Sequence, residues 1–237
     1  MRPLSLLCVL GLTACGPPVL HGSSDLLLKD RLAKPAETIA PLLAPNVEVF
    51  RAGTTVTGVT AGAAALAQVS PEGVSRAERH HGVTALKFGD GRVLLVQRNA
   101  DDRIVRAVEF RAPAPGDGVP RKMFFYGAAW NTDPNKARRD LIQFTYAENG
   151  HYVDPGHEVD GVDEVSQMIG NLRMVAPGSV IQYVSGIAEQ GDGWMTEDWI
   201  MLSKPGGRIL FKGYDFLHVD AEGKIDYLAG FIGTRRD

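Results

Sequence analysis

The sequence predicts an α+β fold, an antiparallel sheet with helices packed on one face, carried in two tandem copies. Three observations predict it. A stretch rich in proline and glycine, Ala112-Pro113-Ala114-Pro115-Gly116-Asp117-Gly118-Val119, lacks any periodicity and reads as a linker. The segments on either side of it echo each other at fixed offsets. Beyond the linker, helical spacing of apolar residues gives way to strands separated by glycine turns.

The echo runs in two parts. Val47-Glu48-Val49-Phe50 through Gly58-Val59 returns 103 residues later as Gly150-His151-Tyr152-Val153 through Gly161-Val162. Asp101-Asp102-Arg103-Ile104 to Phe110 returns as Ala221-Glu222-Gly223-Lys224-Ile225 to Phe231, where Ile and Phe are offset by 121. The later copy therefore carries about 18 additional residues in its sheet region. The expected division is a leader over 1–14, a tether over 15–23, a degenerate first domain over 24–111, a linker over 112–119 and a second domain over 120–237.

The second copy is the easier to read. Arg121 to Trp130 is a short helix of aromatic and small residues. Asp133-Pro134 offers an N-cap and a proline at the first helical position. The helix that follows runs to about Ala147, with Ala137, Leu141, Ile142 and Phe144 expected on its apolar face. His151 to Val153 is a short strand. Val165, Met168, Ile169 and Leu172 keep helical spacing over 162–175, until Pro177-Gly178. Four strands follow, joined at Gly191-Asp192-Gly193, Pro205-Gly206-Gly207 and Ala221-Glu222-Gly223.

The chain has 237 residues, is 44% hydrophobic and 22% charged, and carries a formal charge of -3. That balance offers no basic face for nucleic acid. The N-terminus reads differently from the rest. Arg2 precedes an apolar run from Leu4 to Leu12, too short to span a bilayer, and then Leu12-Thr13-Ala14-Cys15-Gly16. This is the layout of a signal peptide. The ending Leu-Thr-Ala-Cys resembles a bacterial lipobox, which implies lipidation of Cys15 and a membrane anchor through it. Gly16 after the cysteine implies, by the same resemblance, the outer membrane, facing the periplasm. Cys8 would leave with the leader, so the mature domains would hold no thiol and no disulfide.

The pattern Tyr152-x-Asp154-Pro155, Gly161-Val162-Asp163, Pro177-Gly178, Trp199, Gly213-Tyr214-Asp215-Phe216 and Gly223-Lys224-Ile225 to Gly230-Phe231 resembles SnoaL-like proteins of the nuclear transport factor 2-like superfamily. It covers nearly all of 120–233. The resemblance implies a cone, a cystatin-like α+β barrel in which helices fold over a strongly curved sheet and leave a pocket open at one end. Within that class, Tyr126-Gly127-Ala128-Ala129-Trp130-Asn131, Val153-Asp154-Pro155 and Asp215-Phe216-Leu217-His218-Val219 resemble the three catalytic segments of ketosteroid isomerases. The resemblance implies that Asp154 shuttles a proton beside a carbonyl while Tyr126 and a protonated Asp215 donate hydrogen bonds to the enolate oxygen. A carboxylate in an apolar cone is expected to have its pKa raised by desolvation. The stretch between Tyr126 and Asp154 is longer here than in the isomerases.

Each residue also has a plain structural reading. Asp before Pro is a common turn element, Asp215 suits a cross-sheet ion pair, and Tyr126 suits a core. Trp194, Trp199, Phe211 and Met174 are expected to wall the pocket. His151, Asp154, His157 and Glu158 lie close in sequence, but His151 and Asp154 point to opposite faces of a strand and His157 is expected at the rim, so no metal site is expected. His80-His81 read as solvent or sheet histidines. Phosphate loops, nucleophile elbows and paired cysteine motifs are lacking, and no cofactor is expected. In the first copy Arg51 stands where Asp154 does and Leu94 where Asp215 does. That copy is therefore expected to lack the acid/base set and to act as a packing partner, an occluding half or a separate binder; because members of the class it resembles often dimerise through the open face of the sheet, the resemblance also implies that the tandem pair could form an intramolecular pseudo-dimer. Two functions follow: proton transfer (isomerisation, cyclisation or dehydration) on a small apolar carbonyl compound, or non-catalytic binding of a hydrophobic ligand or a protein partner.

Overall fold

The computed structural model describes residues 28–235 except 33, 71–73, 115 and 185. Cys8, Cys15 and the proposed leader and tether therefore lie outside the described residues. The chain divides into two compact units, whose main bodies run up to Ala112 and from Pro113 to Thr234.

In the first unit, α1 (Ala36–Ile39) and a 3-10 turn lead into β1 (Leu43–Arg51) and β2 (Thr54–Thr57). Helix α2 (Val59–Ala67) follows, then β3 (Val74–His80), β4 (Val83–Phe88), β5 (Val93–Arg98) and β6 (Ile104–Phe110). The strands form one sheet in the order β2-β1-β6-β5-β4-β3. The second unit opens with α3 (Arg121–Trp130) and α4 (Asn135–Thr145), then β7 (Tyr146–Val153) and β8 (Glu158–Asp160). Helix α5 (Gly161–Val175) precedes β9 (Val180–Tyr183), β10 (Ala188–Gly191), β11 (Trp194–Leu202), β12 (Ile209–Val219) and β13 (Ile225–Ile232). Its sheet runs β10-β11-β12-β13-β7-β8, with β9 also paired to β11.

The two sheets share one topology and one register. Glu48 pairs with Arg106, Val49 with Ala107 and Phe50 with Val108. Advance β1 by 103 and β6 by 121, and these become His151 with Tyr227, Tyr152 with Leu228 and Val153 with Ala229, the pairs of the second sheet. The same shift of 121 carries Leu94 opposite Glu109 onto Asp215 opposite Gly230, and carries the irregularity after Gln97 onto the one after His218. The sequence echo is thus a repeat of hydrogen-bonding partners.

Four expectations need correction. Each sheet is mixed: β1 with β6 and β7 with β13 are parallel, because the first strand of each unit inserts beside its last. The first of the four expected strands is broken into β9 and β10. Asp133 does not cap α4; its carboxylate accepts from Arg173 Nε at 2.7 Å. The buried stripe of α4 is Arg138, Ile142 and Thr145, while Phe144 is exposed and Leu141 half-buried. Arg138 takes an interior place because four acceptors satisfy it: the carbonyls of Ser166, Thr132 and Asp133 and the Asn135 Oδ1.

All three helices of the second unit pack on one face of its sheet. Met123, Tyr126 and Ala129 from α3, Ile142 from α4, and Val162, Val165, Met168 and Ile169 from α5 meet Tyr152, Leu217, Ile225 and Leu228 from the strands. Helix α5 keeps the apolar spacing read from the sequence, and Gly178, at φ +76°, follows its end.

Candidate functional site

On β11 and β12 alternate residues face the helices. Glu197 lies opposite Asp215, Trp199 opposite Gly213 and Met201 opposite Phe211. All of these except Gly213 line a cavity of about 90 Å³ together with Tyr126, Trp130, Tyr152, Asp154, His157 and Tyr183. A single water needs on the order of 10–15 Å³ by the same measure. The space therefore suits a small organic molecule. The three residues expected to carry chemistry, Tyr126, Asp154 and Asp215, line this one cavity, as do Trp199 and Phe211.

Trp194 and Met174 lie elsewhere. Trp194 is on the opposite parity from Glu197 and Trp199, so it faces the other side of β11 and packs on His218 and Tyr227, with ring centres 4.9 and 6.1 Å away. Met174 follows the pocket-lining Leu172 by two helical positions and is 74% exposed.

Two glycines give the carboxylates their places. A Cβ on Gly213 would fall 2.2 Å from the Trp199 ring, so only glycine lets the indole lie across β12. There, Trp199 Nε1–H donates to Asp215 Oδ1 at 2.8 Å. A Cβ on Gly230 would stand 3.1 Å from Asp215 Oδ1, 3.5 Å from Asp154 Cβ and 3.7 Å from the Tyr152 hydroxyl. Both aspartates therefore converge over the backbone of β13. Glu197 is 1% exposed and neighbours Asp215 across the ladder. The two residues thus bring a second carboxyl group to the same cavity wall.

Asp154 follows β7 directly, where a four-residue turn to β8 is closed by Asp154 N–H on the His157 carbonyl at 2.8 Å. The Asp154 carboxylate accepts four donors. Oδ1 receives the Gly156 and His157 backbone N–H, each at 2.7 Å, and lies 3.1 Å from His157 Nδ1. Oδ2 receives the Tyr152 hydroxyl at 2.9 Å. Burial pushes this carboxyl up, but the His157 ring, the Gly156 N–H and the Tyr152 hydroxyl together outweigh it, and Asp154 titrates below the usual carboxylate range. This reverses the expectation that desolvation would raise it. The bond to Asp154 raises His157 above its ordinary value, against a smaller opposing effect of burial.

Tyr126 is 1% exposed, and burial, then the nearby Tyr146 and Asp215, push its hydroxyl well above the phenol range. It is a neutral donor at any physiological pH. That hydroxyl meets no hydrogen-bond partner of normal geometry among the described residues, with the Trp130 indole only a weak neighbour. Tyr183 is occupied otherwise: its hydroxyl donates to the Met123 carbonyl at 2.8 Å, passing close to Gly127.

Sequence reasoning missed Tyr152, Glu197 and the role of His157. The first two had a signal, since each stands two residues before a chosen strand residue (Asp154, Trp199) and so shares its face. His157 had a weaker one, the habit of an Asx turn to bind the N–H two and three residues on. The expectation that His151 and Asp154 diverge holds: His151 stacks on Tyr227 at 5.9 Å and pairs with Asp160. Among the described residues no group of three or more His, Cys, Asp or Glu is placed to hold a metal ion.

In the first unit, Leu86 and Leu94 face each other where the second has Glu197 and Asp215. Both leucines sit in the hydrophobic core, with Phe88 and Val96 beside them.

No protein-family model matches the sequence, and no curated protein matches it. Solved structures do. The chain is similar to a structure of the SnoaL-like family from Agrobacterium tumefaciens, titled as a candidate isomerase, at 30% identity over 47% of this chain and 94% of that one, TM-score 0.44. A nuclear transport factor 2-like protein of unknown function from Exiguobacterium is 24% identical over 47% of this chain and 98% of its own, TM-score 0.38. A candidate polyketide cyclase from Sinorhizobium meliloti is 15% identical over 47% and 94%, TM-score 0.38. With its helix, helix, strand-pair, helix and meander order, its one helix-covered face and its first strand inserted beside its last, the second unit has the SnoaL-like, nuclear transport factor 2-like cone fold.

Proposed function

We propose that the second unit catalyses proton transfer on a small apolar carbonyl compound, as an isomerase or cyclase does. The observation that carries this reading is the convergence of Tyr126, Asp154 and Asp215 on one aromatic-walled cavity. A substrate carbonyl beside Tyr126 would meet a hydroxyl that has no competing partner of normal geometry. The Asp215 and Glu197 carboxyls lie along the same wall, where one shared proton would make a second donor. Asp154 and His157 stand across Gly230 as the acid/base side. The substrate would be apolar over most of its surface, because Trp130, Trp199, Met168, Phe211 and Phe231 supply much of the wall.

The test is turnover of a β,γ-unsaturated cyclic ketone to its conjugated isomer by the wild type and by Asp154→Asn. The reading expects turnover by the wild type and a large loss in the variant. Equal rates would sink it. The aromatic wall also supports a second reading, retention of an apolar ligand without chemistry. An apolar molecule that co-purifies with the full chain and is held equally by Asp154→Asn would favour that one.

The site is further proposed to stand at the outer membrane, facing the periplasm, tethered through lipidated Cys15. The sequence Leu12-Thr13-Ala14-Cys15 supports this. The role of the first unit is proposed to be packing or binding rather than catalysis, since leucines stand in place of its acid pair.

A further inference from the structure

The proposed chemistry needs a base, and the geometry points to His157 rather than Asp154 as the group that moves the proton, with Asp154 as the residue that positions it. This inference rests on the proton-transfer reading of the same cavity.

A carboxylate offers about four lone-pair sites. Asp154 meets four donors, with Gly156 N–H, His157 N–H and His157 Nδ1 crowded on Oδ1 and the Tyr152 hydroxyl on Oδ2. A carboxylate held this way is a poor base, consistent with its titration below the usual range. His157 is arranged oppositely. Its backbone N–H is fixed on Asp154, its Nδ1 faces the same carboxylate at 3.1 Å, and its ring lines the cavity with about a third of the side chain open to solvent. Because Asp154 accepts from Nδ1–H, the neutral ring carries its lone pair on Nε2. The carboxylate also supports the imidazolium once formed, the role of the buried aspartate in an Asp-His pair. The same contact that orients the ring also favours its protonated form, so His157 is raised above its ordinary value, as a group that must take up and return a proton requires.

The step balances. Nε2 takes a proton from the carbon next to the carbonyl. The C–H pair becomes the enolate, whose oxygen accepts from the Tyr126 hydroxyl. The imidazolium then returns the proton to the γ-carbon, and neutral His157 is regenerated.

The other titratable groups lining the cavity are Tyr126 on α3, Tyr152 and Asp154 on and after β7, Tyr183 on β9, Glu197 on β11 and Asp215 on β12. Only Asp154 among them bonds to His157.

The experiment uses the full chain with a β,γ-unsaturated cyclic ketone, measuring both isomerisation and α-proton exchange, alongside nitrogen NMR of labelled histidine. His157→Asn keeps a donor toward Asp154 but lacks Nε2. It is expected to lose about 100-fold or more of the rate. Asp154→Asn is expected to lose less, and to move the acid limb of the pH profile and the His157 titration to lower pH. Wild-type rates in His157→Asn, with loss confined to Asp154→Asn, would overturn the assignment. An inert wild type would refute the proton-transfer reading itself. In that event the pairing is judged by NMR alone: a His157 titration unchanged in Asp154→Asn, or a proton resident on Nε2 rather than Nδ1, overturns it.

Discussion

Asp154 and His157 form a single ionic unit, the carboxylate lying 3.1 Å from the imidazole Nδ1 within one four-residue turn. The sign of its effect on stability follows from both partners. Asp154 is lowered from about 3.8, so its contribution is present above that pH and is lost as pH falls through the folded value. His157 is raised from about 6.5, so its contribution is complete below that pH and is lost as pH rises through the folded value. The pair therefore stabilises most between about pH 4 and 6.5. Thermal unfolding of wild type and Asp154→Asn should differ most in that window, and the difference should shrink at higher pH to the part that the Gly156 N–H and the Tyr152 hydroxyl supply. A difference that grows above pH 7 would contradict the pairing.

Gly213 is fixed by the ring that crosses it. Placing a methyl 2.2 Å from the Trp199 indole forces either strand or ring to move. Gly213→Ala should cost about 1–3 kcal/mol of stability, the usual range for overpacking. It should also change the tryptophan emission, since Trp199 would leave Asp215. Chemical denaturation followed by fluorescence reads both effects. An unchanged midpoint and spectrum would show that the indole does not lie over Gly213.

Arg138 is a structural group. Its guanidinium serves four acceptors between α4 and α5, and Gly170 makes room for it. Arg138→Ala should remove these four bonds and the packing of a buried side chain, and destabilise by about 2–4 kcal/mol. Turnover per folded molecule should be unaffected, as measured by rate normalised to native protein.

The proposed anchor is tested at Cys15. Wild type expressed in a diderm bacterium should incorporate labelled palmitate and sediment with outer membranes. Cys15→Ser should do neither. Incorporation that survives the substitution would remove the lipobox reading.

Much of the second unit was legible because its determinants are local. The spacing of Val165, Met168 and Ile169 and the three glycine turns specify α5 and the meander without reference to anything distant. The two offsets, 103 and 121, were legible because a repeat preserves register, and the structure keeps it pair for pair. What escaped was set by partners far away in sequence. Nothing near Leu43 or Tyr146 says that these strands insert in parallel beside Ile104 and Ile225. Asp133 looks like a helix cap until Arg173, forty residues on, claims its carboxylate. In the site, parity along β11 could have excluded Trp194 and included Glu197. The depressed titration of Asp154 could not be read, because the donors that cause it are set by the folded turn and by the orientation of the Tyr152 hydroxyl.

The comparison between the two units also supplies the most direct test. The first unit places Leu86 and Leu94 where the second has Glu197 and Asp215, so the chain itself shows that this ladder position accepts two leucines. The measurement is isomerisation of a β,γ-unsaturated cyclic ketone by the full chain carrying Glu197→Leu and Asp215→Leu, with folding checked by circular dichroism. A folded protein that has lost nearly all wild-type turnover is the result predicted by an acid pair lining the site. A folded double variant with the wild-type rate would contradict a catalytic cavity.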